Sequence, residues 1–596
     1  MAVSPSTDSS GVIKLSILSD EAPIPDTIQI ISVEVSKTVN KIPVAKIVLM
    51  DGDMPDGDFP ASDGATFVPG AKIQINAGYG SDEASIFSGV VVKHGIKITG
   101  DNEARLCIEC RHAAVAMTVG RKNVNHLDSA DSDVITALIG ACSDLSADVD
   151  ATGTKYKELV QYYCTDWDFI LSRAEANGLL VIAGDDSVTV KAPATSGSPV
   201  LSVTYGIDLM SFQAEIDARS QLTQVSGTVW DPATQAVVEQ QSGPATLNAQ
   251  GNLEAATLAQ VIGLASLRLQ TAVPLENTAL KAWTDSRQIK AGLARVRGSM
   301  SFQGSALALP GSLIELKGVG ARFSGNVFVS TVEHHIIAGN WITKVEFGMA
   351  PEWFSDRNGS MSESASGLTP GVTGLQIGVV MKLDEDPDGQ SKIQVAIPVL
   401  QAETEGVWAR LAGFYASESI GAFFIPEIGD EVVVGYFNND PSHPVVLGSL
   451  YSSMRAPPYA LTAENYTKAI VTKGLLKIEF DDEKKVITVV TPAKNTIVMS
   501  DDAKSICMQD QNGNKIEMTT SGILLDSPFD IELKAKGNIT LAATGNIEST
   551  AQMDIKSEGL NINSNAKVSL VAKGSASAEL SASGQVTVKG AMVMIN

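Results

Sequence analysis

The end of the chain repeats every eight residues, and no other feature restricts its fold so strongly. Asp530-Ile531, Asn538-Ile539, Asn546-Ile547 and Asp554-Ile555 follow one another at that interval. After a slip of one residue the large positions resume at Ile562, Leu570, Ala578, Val586 and Met594. Fixed spacing of this kind marks a repeat architecture. The tail also differs in composition, with no Arg beyond Arg455, no Trp beyond Trp408 and no Pro beyond Pro528. Each octad offers one regularly placed inward position. Burying one large side chain offsets only part of the backbone entropy lost when eight residues are ordered. A single chain running through the octads therefore has no core of its own. Chains wound together do, because neighbours supply sheet hydrogen bonds and close a shared interior. Three strands around one axis make a triangular β-helix without free edges, a shape suited to a needle. The side chains expected to point inward are Ile531, Ile539, Ile547, Ile555, Ile562, Leu570 and Val586. The competing arrangement, a single-chain β-solenoid, needs longer repeats to enclose a core.

A second constraint lies at residues 429–451, which read GDEVVVGYFNNDPSHPVVLGSLY. Two apolar runs, 431–436 and 445–450, flank Asn438-Asn439-Asp440-Pro441, whose residue types favour a turn. This is a hairpin with a loop longer than the tightest type. Gly429-Asp430 opens it, and Gly448 interrupts its second strand where a small barrel bends. Upstream, 377–383, 392–397, 407–411 and 422–425 read as further strands, and Ile393, Val395 and Ile397 alternate with polar or small residues. About five short strands in this span predict a small closed barrel of the OB type.

The phrases that build this barrel carry a resemblance. DPDG with Asp386 and Gly389, IQVAIP at 393–398, WAR with Trp408, and the hairpin with Gly429, Asp430, Pro441 and Gly448 resemble the OB module of the VgrG family. That family forms the spike of type VI secretion systems and related contractile injection machines.

The rest of the chain reads in order around these two landmarks. Residues 1–118 are rich in strands, with Ile31, Val33 and Val35 alternating with Ser32 and Glu34, and predict a β-barrel. Residues 119–199 change character. A helix over 131–145 places Val134, Leu138, Ala141 and Leu145 on one face. A second helix starts at Thr165, which can cap it, with Asp168 completing a capping-box pattern. Asp166, Asp168 and Glu175 are read as its acidic start and solvated face rather than as catalytic carboxylates. The phrase VQYYCTDWDFILSRAEANGLLV is similar to the corresponding part of VgrG hubs. Residues 200–355 return to strands, with one helix expected at 253–270, and 294–348 resemble the second barrel of the same hub. Residues 356–373, rich in Ser and Gly, form a linker. The OB barrel then spans 374–466, and the needle 467–596.

Several features point to chemistry and are read as structural. Cys107 and Cys110 form a lone CxxC near His112, but residues three apart in a strand face opposite ways, and zinc needs further ligands. Five scattered cysteines are no disulfide framework. His334-His335 lie on opposite faces of one strand. Asp384-Glu385-Asp386-Pro387-Asp388-Gly389 matches half an EF-hand loop, yet Val395 falls where the bidentate glutamate belongs, so a hairpin turn is expected. There is no HExxH, GxSxG or phosphate-loop signature. Net charge of −24 repels phosphate backbones, which disfavours nucleic acid. The first twenty residues hold one cation, Lys14, and no apolar core of a secretory signal. The expectation is a non-enzymatic protein without cofactor or metal, assembled in the cytoplasm and built into an injection particle.

The resemblance implies more: a homotrimer of mainly β fold at the centre of a baseplate, in contact with inner-tube and baseplate proteins. It would carry effector cargo and meet a target membrane only on injection. A phage or tailocin spike is the same machine in another setting, and a trimeric adhesin would need an export signal. The chain ends in apolar Met592, Val593, Met594 and Ile595 with Asn596. Threefold symmetry would gather these into a blunt apolar face, and in the VgrG family a conical PAAR-type cap docks there.

Overall fold

The computed structural model describes every residue except 1, 7–10, 101–102, 232–233, 272–274, 357–364, 366–370, 399–405 and 596. The linker expected at 356–373 lies mostly outside the described residues. The chain forms two units, residues 1–450 and 451–596.

In the first unit, alternation sets the framework. Val33 and Val35 are buried on Ile30–Thr38, as are Ala45, Ile47 and Leu49 on Val44–Met50, while Glu34 and Lys46 face outward. A period of two lines up one apolar row per strand. Thirteen strands share one sheet. Its main path runs Ser211–Ile216, Val296–Gln303, Asn340–Phe347, Gly325–Ile337, Ile30–Thr38, Val44–Met50, Ala104–Arg111, Asp82–Ile98, Lys72–Tyr79, Ile13–Ser19 and Ala22–Pro23. Leu313–Lys317 branches from Gly325–Ile337 and pairs in turn with Leu201–Thr204. The sequence suggests separate barrels before residue 118 and after residue 200. Instead the two stretches are hydrogen-bonded into one sheet, with His334 opposite Val35 and Ile336 opposite Val33. Two interiors persist, one around Ile47, Phe67, Ile75 and Phe87, the other around Met300, Phe302, Val329 and Phe347.

Between these stretches sits a small α/β insert. Helices Asp131–Gly140 and Asp166–Ala176 pack on a three-stranded sheet of Ser146–Val149, Ser187–Lys191 and Leu180–Ala183. Ile135, Ile139, Trp167, Ile170, Val181 and Val190 fill its core. The Thr165 hydroxyl accepts the Asp168 N–H at 3.1 Å, which starts the second helix. The first helix ends five residues earlier than its apolar spacing suggests, at Gly140.

The region after residue 250 departs further from expectation. A helix does form, but only over Ala255–Ile262, because Gly263 takes a left-handed cap with φ 73°. Leu267–Thr271 is then a strand, parallel to Val225–Asp231. The long helix of this region, Asn277–Leu293, was not expected, since Thr284, Ser286 and Gln288 occupy its buried face and hide the apolar period.

Next comes a closed five-stranded barrel of Gln376–Lys382, Ile393–Ala396, Val407–Leu411, Pro444–Ser449 and Glu431–Tyr436. Val380, Ile393, Val395, Ala409, Val432, Val434 and Val446 form its core. The segment 422–425, expected as a strand, stays outside the barrel, and a two-residue pairing of Ala416–Ser417 with Ile420–Gly421 precedes it. The protein is thus mainly β, with a closed five-stranded barrel.

The second unit is not a uniform run of octads. Thr467–Val471, Lys477–Asp481, Val486–Val490, Thr496–Ser500, Ser505–Gln509, Lys515–Thr519 and Gly522–Asp526 form an antiparallel meander in chain order. Its turns are locally encoded. Leu475, Lys485, Lys494 and Lys504 adopt φ between 48° and 69°. On one edge Thr472, Thr491 and Asp510 each accept the N–H of the residue four ahead, at 2.8–3.2 Å. Those three positions lie nineteen residues apart, a repeat that precedes the octads. Among the described residues beyond Asp526 there is no strand or helix.

Candidate functional site

The most unusual surface of the molecule is one face of the meander. Register aligns Phe480, Ile487, Met499, Ile506, Met518 and Ile523 as neighbours across six strands. A second column, two residues away along each strand, holds Ile478, Val489, Ile497, Met508, Ile516 and Leu525. Both columns point to the same side, because strand side chains alternate. The other side carries Thr488, Thr496, Val498, Ser500, Ser505, Cys507 and Gln509. In the single chain the apolar columns are open to solvent: Ile478, Phe480, Ile497, Met499, Ile506, Met508, Ile516 and Met518 are 36–45% exposed. Contiguous apolar surface on this scale marks an interaction site. Sequence reading missed these columns, because successive column residues lie seven and twelve, or eleven and eight, apart and so blur a nineteen-residue repeat.

The octads continue this exposure. Ile531, Ile539, Ile547, Ile555, Ile562, Leu570 and Val586 are each 46–71% exposed, so the single chain encloses none of them. Met592, Val593, Met594 and Ile595 are exposed as well, and Asn596 lies outside the described residues. At the entry to the meander, Tyr459 donates to the Glu479 carboxylate, which also binds Lys477 at 2.8 Å. Hydrogen bonds from Lys477 and then from Tyr459 hold the Glu479 carboxyl below its usual range.

The residues of the OB motif set the barrel's turns. Gly429, with φ 85°, donates to Val380 O at 2.7 Å, and Val380 donates back to Asp430 O at 3.0 Å. Asp430 also accepts the Glu427 N–H at 2.8 Å, which closes the entry to the hairpin. Asn438 and Asn439 are left-handed in the hairpin loop, and Pro441 follows the Asp440 turn. Gly448 sits at a register shift: Val433 pairs with Gly448 and Val434 with Val446, which leaves Leu447 bulged. Trp408 lies on the strand Val407–Leu411, opposite Gln394.

The EF-hand-like turn is closed by its own backbone. Asp386 accepts N–H groups from Asp388, Gln390 and Lys392. Desolvation pushes its carboxyl up, but these three donors outweigh it and hold the group below the usual carboxylate range. Gly389 completes the turn with φ 62°. The carboxylate is thus bonded to three backbone donors of its own turn.

The acidic residues of the helix Asp166–Ala176 required correction. Asp166 and Glu175 are buried, not solvated. Asp166 meets Lys122 Nζ at 2.6 Å and Gln161 Nε2 at 2.9 Å. Glu175 pairs with Lys290 through one oxygen and accepts the Phe354 N–H at 2.6 Å through the other. Lys122, Lys290 and Phe354 lie far away in sequence, and both carboxylates are used in holding the fold. Cys110 is buried and Cys107 half-buried, on one strand. His334 is buried while His335 faces outward beside Glu333.

Two families match the chain. The Alg8 N-terminal domain matches residues 9–338, and the type VI secretion system/phage-baseplate injector OB domain matches residues 376–451. Among curated proteins, the chain is 32% identical over 87 residues to the actin cross-linking toxin VgrG1 of Vibrio cholerae, covering 14% of this chain and 8% of that protein. It is 31% identical over 83 residues to the type VI secretion system spike protein VgrG1c of Pseudomonas aeruginosa, covering 13% and 11%. The chain thus aligns with about a tenth of the length of these relatives. Among solved structures, it superposes on the 43 kDa tail protein of prophage MuSo2 from Shewanella oneidensis with TM-score 0.43 and 9% identity, covering 57% of this chain and 98% of that one. A Francisella PdpA–VgrG complex gives TM-score 0.38 and 10% identity over 86% and 80%.

Proposed function

The chain belongs to the family of the Alg8 N-terminal domain and carries an injector OB domain behind it, and from this premise we propose that it is the central spike of a contractile injection system. One observation carries the reading furthest. Behind the injector barrel lies a long segment whose regularly spaced apolar side chains have no core within the chain. Copies wound about an axis would cover them, and three is the number that closes a triangular prism of sheets. The proposed assembly is a homotrimer, with the meander and the octads forming an intertwined needle.

The role is mechanical rather than enzymatic. A closed, cooperative rod transmits thrust, and the strand framework of residues 1–355 would seat it on baseplate and inner-tube proteins. Effector cargo would travel with it, and a target membrane would be met only on injection. The apolar end at 592–596 would hold a small PAAR-type cap. Because the matched OB domain is described for phage baseplates too, a phage or tailocin spike remains the second reading. Sedimentation of the purified chain at micromolar concentration tests the assembly. The reading expects three times 62.6 kDa, and a stable folded species of 62.6 kDa contradicts it.

A further inference from the structure

Where the α/β insert joins the strand framework, a buried lysine meets the Asp185 carboxylate and two buried histidines lie near it. The chain leaves Ala104–Arg111 at His112 and enters the insert through the turn Ala113–Thr118. His112 is fully buried. Its Nδ1 accepts the Ala114 N–H at 3.1 Å, so its proton sits on Nε2 and the ring is neutral. That Nε2 points toward the backbone carbonyl of Asp185 without making a hydrogen bond. Lys37, 7% exposed on Ile30–Thr38, places Nζ 3.4 Å from Asp185 Oδ1 on the turn between Leu180–Ala183 and Ser187–Lys191. His334, on Gly325–Ile337, is buried nearby, with Nδ1 facing Thr343 Oγ1 at 3.1 Å and Trp341 Nε1 at 3.4 Å. Asp186 on the insert, and His335 and Glu333 on the framework, complete the charged surroundings. Asn40 ties the same seam, donating to Val181 O at 2.7 Å and accepting the Val181 N–H at 2.8 Å.

We propose that this seam is an acid-released latch: neutral His112 and the Lys37–Asp185 pair hold the insert on the framework, and a proton on His112 lets it open. Proton uptake would set a second buried cation beside Lys37, with the half-exposed Asp185 carboxylate paired to Lys37 and only the field of Asp186 added to it. Burial, and then the charge of Lys37, hold His112 down to about 4, against 6.5 for a free imidazole. The same two causes hold His334 down to about 3. A histidine lowered in the closed state favours closure fully above pH 6.5. That preference falls as pH drops toward 4, by about tenfold per unit and roughly 300-fold in all. His334 lies within the framework, so its titration bears on framework strands rather than on the insert.

Amide hydrogen exchange of the full chain, measured from pH 7 to 4 and corrected for intrinsic rates, tests the latch. Amides of Asp131–Gly140 and Leu180–Ala183 should lose about 300-fold more protection than those of the barrel strand Glu431–Tyr436, which carries no histidine. His112→Asn keeps an acceptor for the Ala114 N–H and cannot titrate, so this extra loss should vanish. Lys37→Met removes the like charge and should shrink the loss, which preserves the test if His112→Asn does not fold. Parallel exchange of insert and barrel, or an undiminished loss in the variants, overturns the proposal.

Discussion

Lys290 and Glu175 meet across more than a hundred residues of sequence, both nearly buried, with Arg287 stacked on Trp353 at 4.1 Å beside them. Removing one member of a buried pair leaves the other charge uncompensated. Lys290→Met should therefore destabilise the first unit by about 3–5 kcal/mol, read by chemical denaturation. A change below about 1 kcal/mol, the surface-pair value, would show the pair to be solvated. Such pairs explain why the carboxylates of the helix Asp166–Ala176 were misread. Local spacing shows an acidic helix start, but only the fold brings Lys122 and Lys290 to it. Residues whose role is local were legible: Thr165 caps its helix, and Gly448 marks the barrel's bulge.

At the scale of elements, legibility followed the same division. The barrel was readable because its strands are short, apolar and separated by turn residues acting where they stand. The helix Asn277–Leu293 was not, since its inner face carries polar side chains. It packs so closely on Val225–Asp231 that a Cβ at Gly227 would lie 2.7 Å from Leu280 and 2.8 Å from Thr284. Gly227→Val should cost about 1–3 kcal/mol through overpacking, visible as a lower Tm. The octads are read from period alone, and whether their apolar side chains face an interior can be tested by charge. Ile539→Asp and Ile547→Asp would each place three carboxylates around one axis, and unpaired buried charge is costly. Each should abolish needle assembly and injection while the first unit stays folded. Normal injection by both variants would mean that these positions do not face an interior.

At the scale of the whole molecule, the chain is unevenly filled. Its framework, insert and barrel have their own cores, whereas the meander and octads have apolar columns with nothing over them. Deleting residues 592–596 should abolish co-purification of a cap protein and leave the assembled mass unchanged; retention of the cap would place its seat elsewhere. We propose that copies of the chain cover those columns. Methionine oxidation footprinting of the native protein with dilute peroxide reads this directly, because Met499, Met508 and Met518 report from the columns and Met454 is 91% exposed. Met499, Met508 and Met518 should resist oxidation in the native assembly while Met454 reacts freely, and the resistance should disappear on unfolding. Oxidation of the three at the rate of Met454 in the native protein would contradict it.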